Sequence, residues 1–333
     1  MHREFESPPL RHRPPCALRH PLSAFRCLPS QTRAHPAQRR RRAGAVTTPR
    51  RHAAAAAPFL KWAGGKAQLA PRVLANIPPG FHGYHEPFVG GGAVFFAVRG
   101  AFPDRPACLG DANPDLIDCY RVVRDEPGRL IEVLERHAAA YDAEGEEGRA
   151  AYYYRQRDLD PVDPVERAAR LVFLNKTAFN GLYRVNAAGR FNVPHGRYRH
   201  PRIADPGRIE AASAALRGTD LRCEDFEAAC ARAATGDFVY LDPPYQPLST
   251  TSSFTSYTRA DFGPREQARL AAVFADLAGR GVAALLSNSD HPAIRALYEG
   301  CGYRVEVVPM ARAINSRGDR RTPVPELLIA NFG

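Results

Sequence analysis

From Pro58 onward, short apolar runs alternate with longer stretches in which apolar positions recur every three or four residues. The runs at 84–88, 107–110, 238–241, 282–286, 305–308 and 327–330 have the length of strands, whereas 265–278 repeats at helical spacing. Strands alternating with helices predict an α/β fold, a Rossmann-like doubly wound sheet. Residues 114–202 interrupt that rhythm. They read as helical at first, then as a polar stretch at 180–198, punctuated by Asn and Gly, that resembles a β-hairpin with long arms. The pattern predicts an inserted, mainly helical lobe carrying that hairpin. It divides the chain into an extension (1–57), a sheet domain (58–113 and 203–333) and the lobe (114–202).

The extension has no apolar period. It is rich in Arg, Pro, His and Ala and cannot bury enough surface to offset the entropy of ordering, so it is expected to be disordered. It also lacks the apolar core of a secretory signal. No stretch of the chain approaches the roughly 20 apolar residues of a membrane span, and a cytoplasmic location is expected.

Charge changes the picture less than the total suggests. Of the net +11, residues 1–57 account for +10, from twelve arginines against Glu4 and Glu6, which leaves +1 for the body. Any affinity of the body for nucleic acid must therefore come from local clusters. Only three of the 46 basic residues are lysine, namely Lys61, Lys66 and Lys176. A lysine kept in so arginine-biased a chain points to a position needing a compact ammonium. The seven cysteines form no CxxC pair and no metal-ligand spacing, so they are expected to be reduced thiols, mostly packed in the core.

Three motifs carry chemistry. Asp242-Pro243-Pro244-Tyr245 directly follows the apolar run 238–241, at the carboxyl end of an expected strand, where open α/β sheets bind ligands. An aspartate oxygen and the Pro243 carbonyl can accept the two hydrogens of an exocyclic base amine and aim its lone pair. Tyr245 offers a face on which an extruded base can stack. The second motif, Glu86-Pro87-Phe88-Val89-Gly90-Gly91-Gly92 before an apolar run, is a strand, a glycine turn and a helix that let backbone approach a nucleotide-like ligand. Asp111 follows about twenty residues later, placed to accept ribose hydroxyls. The third, Phe59-Leu60-Lys61-Trp62-Ala63-Gly64-Gly65-Lys66, holds the only tryptophan and two of the three lysines.

These motifs, with Asn180-Gly181-Leu182, Phe191-Asn192-Val193-Pro194 and Gly196-Arg197-Tyr198 between them, resemble the Dam-type adenine-N6 DNA methyltransferases along nearly the whole body. The resemblance implies S-adenosylmethionine as cofactor, double-stranded DNA as partner and transfer of a methyl group to adenine N6 by base flipping. It implies a monomer with no obligate protein partner. Asp242, Pro243 and Tyr245 match catalytic positions. Trp62, Lys66, Phe88, Gly90, Asp111, Asp225, Phe226 and Asp242 match the cofactor pocket. On the DNA side, Lys61 and Arg184 match guanine-reading positions and Leu182 and Pro194 match those that meet a thymine methyl. Phe179, beside Asn180, stands where the family often has a wedging tyrosine. Asn186, Asn192, Arg197 and Tyr198 match phosphate contacts. Lys61, Leu182, Arg184 and Pro194 together imply the sequence GATC. Arg317, Arg320 and Arg321 resemble a basic loop of the family only loosely.

Rival readings leave other traces. Cytosine-N4 enzymes usually carry Ser at position 242, and enzymes acting on glutamine amides or RNA bases tend to carry Asn. A catalytically decayed DNA-binding relative would show damage at Asp242, Tyr245 or the glycine turn, all of which are intact. The glycine spacing is wrong for a nicotinamide enzyme. No metal is expected, because a sulfonium leaving group departs without Lewis-acid help.

Overall fold

A computed structural model of the chain describes residues 55–245, 262–310 and 324–333. Most of the extension and the segment holding Arg317, Arg320 and Arg321 lie outside the described residues, as does the stretch after Tyr245. Within them, seven strands form one sheet in the order β3-β2-β1-β4-β5-β7-β6. Here β1 is Tyr84–Glu86, β2 Ala107–Asp111, β3 Asp220–Cys223, β4 Phe238–Leu241, β5 Ala283–Ser289, β6 Arg304–Met310 and β7 Val324–Ala330. The first five in that order pair in parallel, and β7 runs antiparallel between β5 and β6. The sheet winds outward from β1 in one direction and from β4 in the other, so these two strands flank the switch point.

Strand side chains alternate between two cores. Phe238, Tyr240, Leu285 and Leu328 face one, with helices α1 (Ala70–Ala75), α2 (Ala93–Ala101), α3 (Pro114–Asp125) and α7 (Pro206–Leu216). Val239, Leu241, Ala284, Leu286 and Leu327 face the other, with α8 (Phe226–Ala231), α9 (Pro264–Gly279) and α10 (Pro292–Tyr298). This period of two on strands buried on both sides is what made β4 and β5 legible as apolar runs. The first core continues without a break into α4 (Pro127–Ala143), α5 (Gly145–Asp158) and α6 (Pro164–Thr177) through Leu134, Tyr153 and Phe173. Asn113, Asp163 and Asp205 cap α3, α6 and α7 with side-chain oxygens, and a proline follows each of them at the first helical position.

The structure corrects several sequence expectations. β3 was not anticipated, because an edge strand with only Leu221 buried carries no apolar run. β1 is shorter than 84–88, since Pro87 has no N–H for the ladder. Residues 180–198 fold back on themselves, yet ladder pairing is confined to isolated bridges Ala178↔His195 and Val185↔Phe191. Long strand arms do not form: Pro194 and the three glycines of this segment prevent a continuous ladder. The described cysteines are not mostly core residues either. Of the five described, Cys119 and Cys230 are buried, Cys108 is half-buried, and Cys223 and Cys301 are exposed.

Candidate active site

A cavity of about 430 Å³ opens at the carboxyl ends of β1, β2 and β4. It gathers Trp62, Lys66, Phe88, Gly90, Asp111, Asp225, Phe226, Asp242, Pro243 and Tyr245, together with Glu86, Phe262 and Glu326. Its floor is the glycine turn after β1. Gly90 and Gly92 have φ of +47° and +71°, a left-handed backbone that glycine adopts without strain. Any Cβ there would also be obstructed, lying 3.0 Å from Trp62 Cδ1 at Gly90 and 2.5 Å from the Tyr120 hydroxyl at Gly92.

Asp111 ends β2 beside this turn. Its Oδ2 accepts the Gly90 N–H at 3.1 Å and its Oδ1 the Asn113 N–H at 2.9 Å. Burial pushes the carboxyl up to about 6, and these two backbone donors pull against that rise. Aromatic rings form the opposite wall, with Phe88 stacked on Phe226 at 5.4 Å and Phe262 edge-on to Phe88. Asp225 caps α8, is ion-paired with Arg269 and stays exposed at the rim. Trp62 is stacked on Tyr183 at 5.1 Å.

Asp242 follows β4 directly. Lys66 Nζ lies 3.0 Å from its Oδ1, and Ser287 Oγ donates to the same oxygen at 3.0 Å. Burial raises the Asp242 carboxyl, against the opposing pull of Lys66 and Ser287. The same ammonium sits 4.3 Å above the centre of the Tyr245 ring and donates to the Gly64 carbonyl at 2.9 Å. Tyr245 in turn donates its hydroxyl to Glu326 Oε2 at 2.9 Å. Lys66 thus links the glycine-lysine motif to Asp-Pro-Pro-Tyr, a contact that arginine's planar fork could not copy within this volume. Lys176 joins neither. It is half-buried at the end of α6, its ammonium pushed down to about 8 by burial, with Arg208 and Lys61 adding repulsion.

The remaining sequence candidates collect outside the cavity. Asn175, buried in α6, accepts the Lys61 N–H at 2.8 Å and donates to the Lys61 and Gly181 carbonyls at 2.7 and 3.0 Å. It therefore ties the Lys61-Trp62 segment to the start of the folded-back loop. Lys61 Nζ reaches 5.1 Å from the Tyr198 ring centre. Phe179, Asn180, Pro194 and Arg197 are exposed, while Leu182 and Tyr198 are half-buried. Arg184 Nε donates to Asn192 Oδ1 at 2.7 Å, which clasps the two sides of the loop. Asn186 uses its Oδ1 to accept the Ala188 and Arg190 N–H groups at 3.0 Å each, forming the loop's tip.

Sequence reasoning assigned no role to Asn175, Ser287, Glu326 or Glu86. A polar residue in the apolar face of α6 was the one available signal for Asn175. Glu86 lies within the glycine-turn motif, but nothing in the motif shows that this residue is 2% exposed and accepts the Tyr84 hydroxyl at 2.6 Å.

A sheet of this order, with a glycine turn after β1 and Asp-Pro-Pro-Tyr after β4, defines a Rossmann-like methyltransferase. Residues 62–314 match the family described as D12 class N6 adenine-specific DNA methyltransferase, and the chain belongs to that family. It is 42% identical over 287 residues to the type II methyltransferase M.MjaIII of Methanocaldococcus jannaschii, covering 83% of this chain and 99% of the relative. Identity to the type II methyltransferase M1.LlaDCHI of Lactococcus lactis subsp. cremoris is 39% over 284 residues, or 83% and 95% of the two chains. The DNA adenine methylase of Escherichia coli K12 is 36% identical over 270 residues, or 81% and 93%.

Proposed function

We propose that this enzyme transfers a methyl group from S-adenosylmethionine to N6 of an adenine flipped out of duplex DNA, within the sequence GATC. The observation that carries the reading is the meeting of Asp242, Pro243 and Tyr245 with Asp111 and the glycine turn around one cavity. The cavity suits the cofactor. Its glycine floor leaves room that side chains would fill. Asp111 has two further lone-pair positions for ribose hydroxyls beyond its two backbone bonds. The Phe88–Phe226–Phe262 cluster provides apolar ring surface for a base.

S-adenosylmethionine, when bound, supplies an electrophilic methyl on a positively charged sulfur. Asp242 and the Pro243 carbonyl accept the two N6 hydrogens and pull the amine toward tetrahedral geometry, so that its lone pair faces the donor. Tyr245 stacks on the extruded base. After transfer, the extra N6 proton leaves to water or a neighbouring carboxylate, so Asp242 need only orient the amine. Trp62, Lys66, Phe88, Gly90, Asp225 and Phe226 complete the cofactor pocket.

Residues 114–202 serve as the recognition lobe. Lys61 and Arg184 read guanines, Leu182 and Pro194 meet thymine methyls, and Phe179 fills the space left by the flipped base. Asn186, Asn192, Arg197 and Tyr198 stand at the DNA backbone, and Asn180, beside Phe179, belongs to the same DNA-binding surface. The exposure of Phe179 and Pro194 and the tethering of Lys61 to the loop by Asn175 support this surface. Expression in a host lacking adenine methylation tests the sequence assignment. Plasmid DNA is expected to resist a nuclease blocked by methylated GATC and to become sensitive to one that requires it. Digestion identical to that of empty-vector DNA would refute GATC methylation.

A further inference from the structure

Asp242-Pro243-Pro244-Tyr245 is almost fully constrained by its own covalent chemistry. The two proline rings fix φ at 243 and 244. Each residue that precedes a proline is confined to extended ψ, which fixes Asp242 and Pro243 as well. From ψ of Asp242 to φ of Tyr245, two backbone torsions escape both rules: φ of Tyr245 and, before it, ψ of Pro244. The latter sets the direction of the Pro244 carbonyl, and with it the path by which Tyr245 leaves the turn.

That carbonyl is held. Gln267, on α9 and 1% exposed, donates from Nε2 to the Pro244 carbonyl at 3.0 Å. Gln267 Oε1 accepts from Nδ2 of Asn288, a fully buried residue of β5, at 3.0 Å. Asn288 Oδ1 accepts the Ser289 N–H at 2.8 Å. The relay has only one possible direction. A proline carbonyl can only accept and a backbone N–H can only donate, so each amide between them has a single permitted orientation. The next residue along β5 toward its start, Ser287, holds the Asp242 carboxylate from the same strand. Gln267 is where the relay meets the turn's backbone, and neither amide lines the cavity.

We infer that Gln267, aligned by Asn288, is a positioning residue for methyl transfer: it locks ψ of Pro244 and so sets the point from which Tyr245, held at its hydroxyl by Glu326, presents its ring beside the Asp242 and Pro243 acceptors. The inference rests on the function proposed above. Gln267→Leu keeps the side chain's size and removes the donor. Under saturating cofactor and DNA, its single-turnover rate is expected to fall on the order of 100-fold, the penalty of misplacing reacting groups by about 1 Å. Affinity for S-adenosylmethionine should stay within about twofold, because Gln267 does not line the pocket. Asn288→Ala leaves Gln267 in place but unaligned and should give a smaller loss. The double variant should be no slower than Gln267→Leu alone, the non-additivity of residues acting as one unit.

If wild-type enzyme methylates adenine and folded Gln267→Leu does so equally fast, the positioning role is wrong and the function stands. A rate and a cofactor affinity that fall together by the same factor would equally overturn it, since that marks general disruption of the fold. Should Gln267→Leu fail to fold, Asn288→Ala decides, and a wild-type rate from that variant would overturn the role. Wild-type enzyme that leaves adenine unmodified would remove the proposed function, and the positioning role with it.

Discussion

Burial governs the acids around the cavity, and Glu86 shows it most clearly. At the end of β1, enclosed and bonded to Tyr84, its carboxyl is pushed up to about 8 from a usual value near 4.5. A folded-state value above the unfolded one means that the folded state holds the proton more tightly. The associated stability is therefore fully present below about 4.5 and is lost as pH rises through about 8. Glu86→Gln, neutral at every pH, should flatten that decline and exceed the wild type in stability at about pH 8 by roughly 1–3 kcal/mol. Urea unfolding of both proteins at about pH 5 and about pH 8 measures it, and parallel declines would contradict it. The meeting of Asp242 and Tyr245 at the cavity was legible in the sequence because the two lie within four consecutive residues. The groups that hold them were not. Ser287 and Glu326 come from strands 45 and 81 residues further along, and nothing in Val-Pro-Glu-Leu-Leu announces that its carboxylate turns toward a tyrosine.

At the scale of elements, the central strands were readable, as was the edge strand β6 through the run at 305–308, but the opposite edge, β3, was not. β4 and β5 are buried on both faces and show it as apolar runs, whereas β3 needs only Leu221 to hold the sheet's edge. The folded-back loop at 180–198 was visible through its Asn and Gly content, but its closure rests on scattered backbone bonds, such as the Asn192 N–H to the Arg184 carbonyl and the Asn186 N–H to the Arg190 carbonyl, and on side chains rather than on a continuous strand ladder. Arg184 and Asn192 clasp it, and Asn186 shapes its tip. In this arrangement Arg184 is prepared rather than loose, so its removal should act on base choice. Arg184→Ala is expected to cost about 1–3 kcal/mol of discrimination at one base pair. Methylation rates on GATC duplexes and on duplexes altered at single positions give that number. Equal discrimination by variant and wild type would contradict the assignment.

For the molecule as a whole, topology does the assembling. Glu86 and Asp242 are 156 residues apart in the chain, yet β1 and β4 are parallel neighbours and bring both to one end of the sheet. The order β3-β2-β1-β4-β5-β7-β6 was not written in any local pattern, since pairing partners are chosen by packing across the two cores. The family's motif order supplied what periodicity could not. The charge fits the proposed function: the body carries little net charge, so on that proposal recognition would rest on a few placed cations such as Lys61 and Arg184 rather than on a broad field.

The central claim is that Asp242 orients an adenine amine toward a methyl donor. It is tested most directly by incubating duplex DNA with tritiated S-adenosylmethionine and identifying the labelled nucleoside, for wild type and for Asp242→Ala. The account requires N6-methyladenine from the wild type and a rate reduced by about 1,000-fold or more in the variant, whose loss of both orientation and amine polarisation removes roughly 4 kcal/mol of transition-state stabilisation. Label on cytosine, or a variant as fast as the wild type, would contradict it.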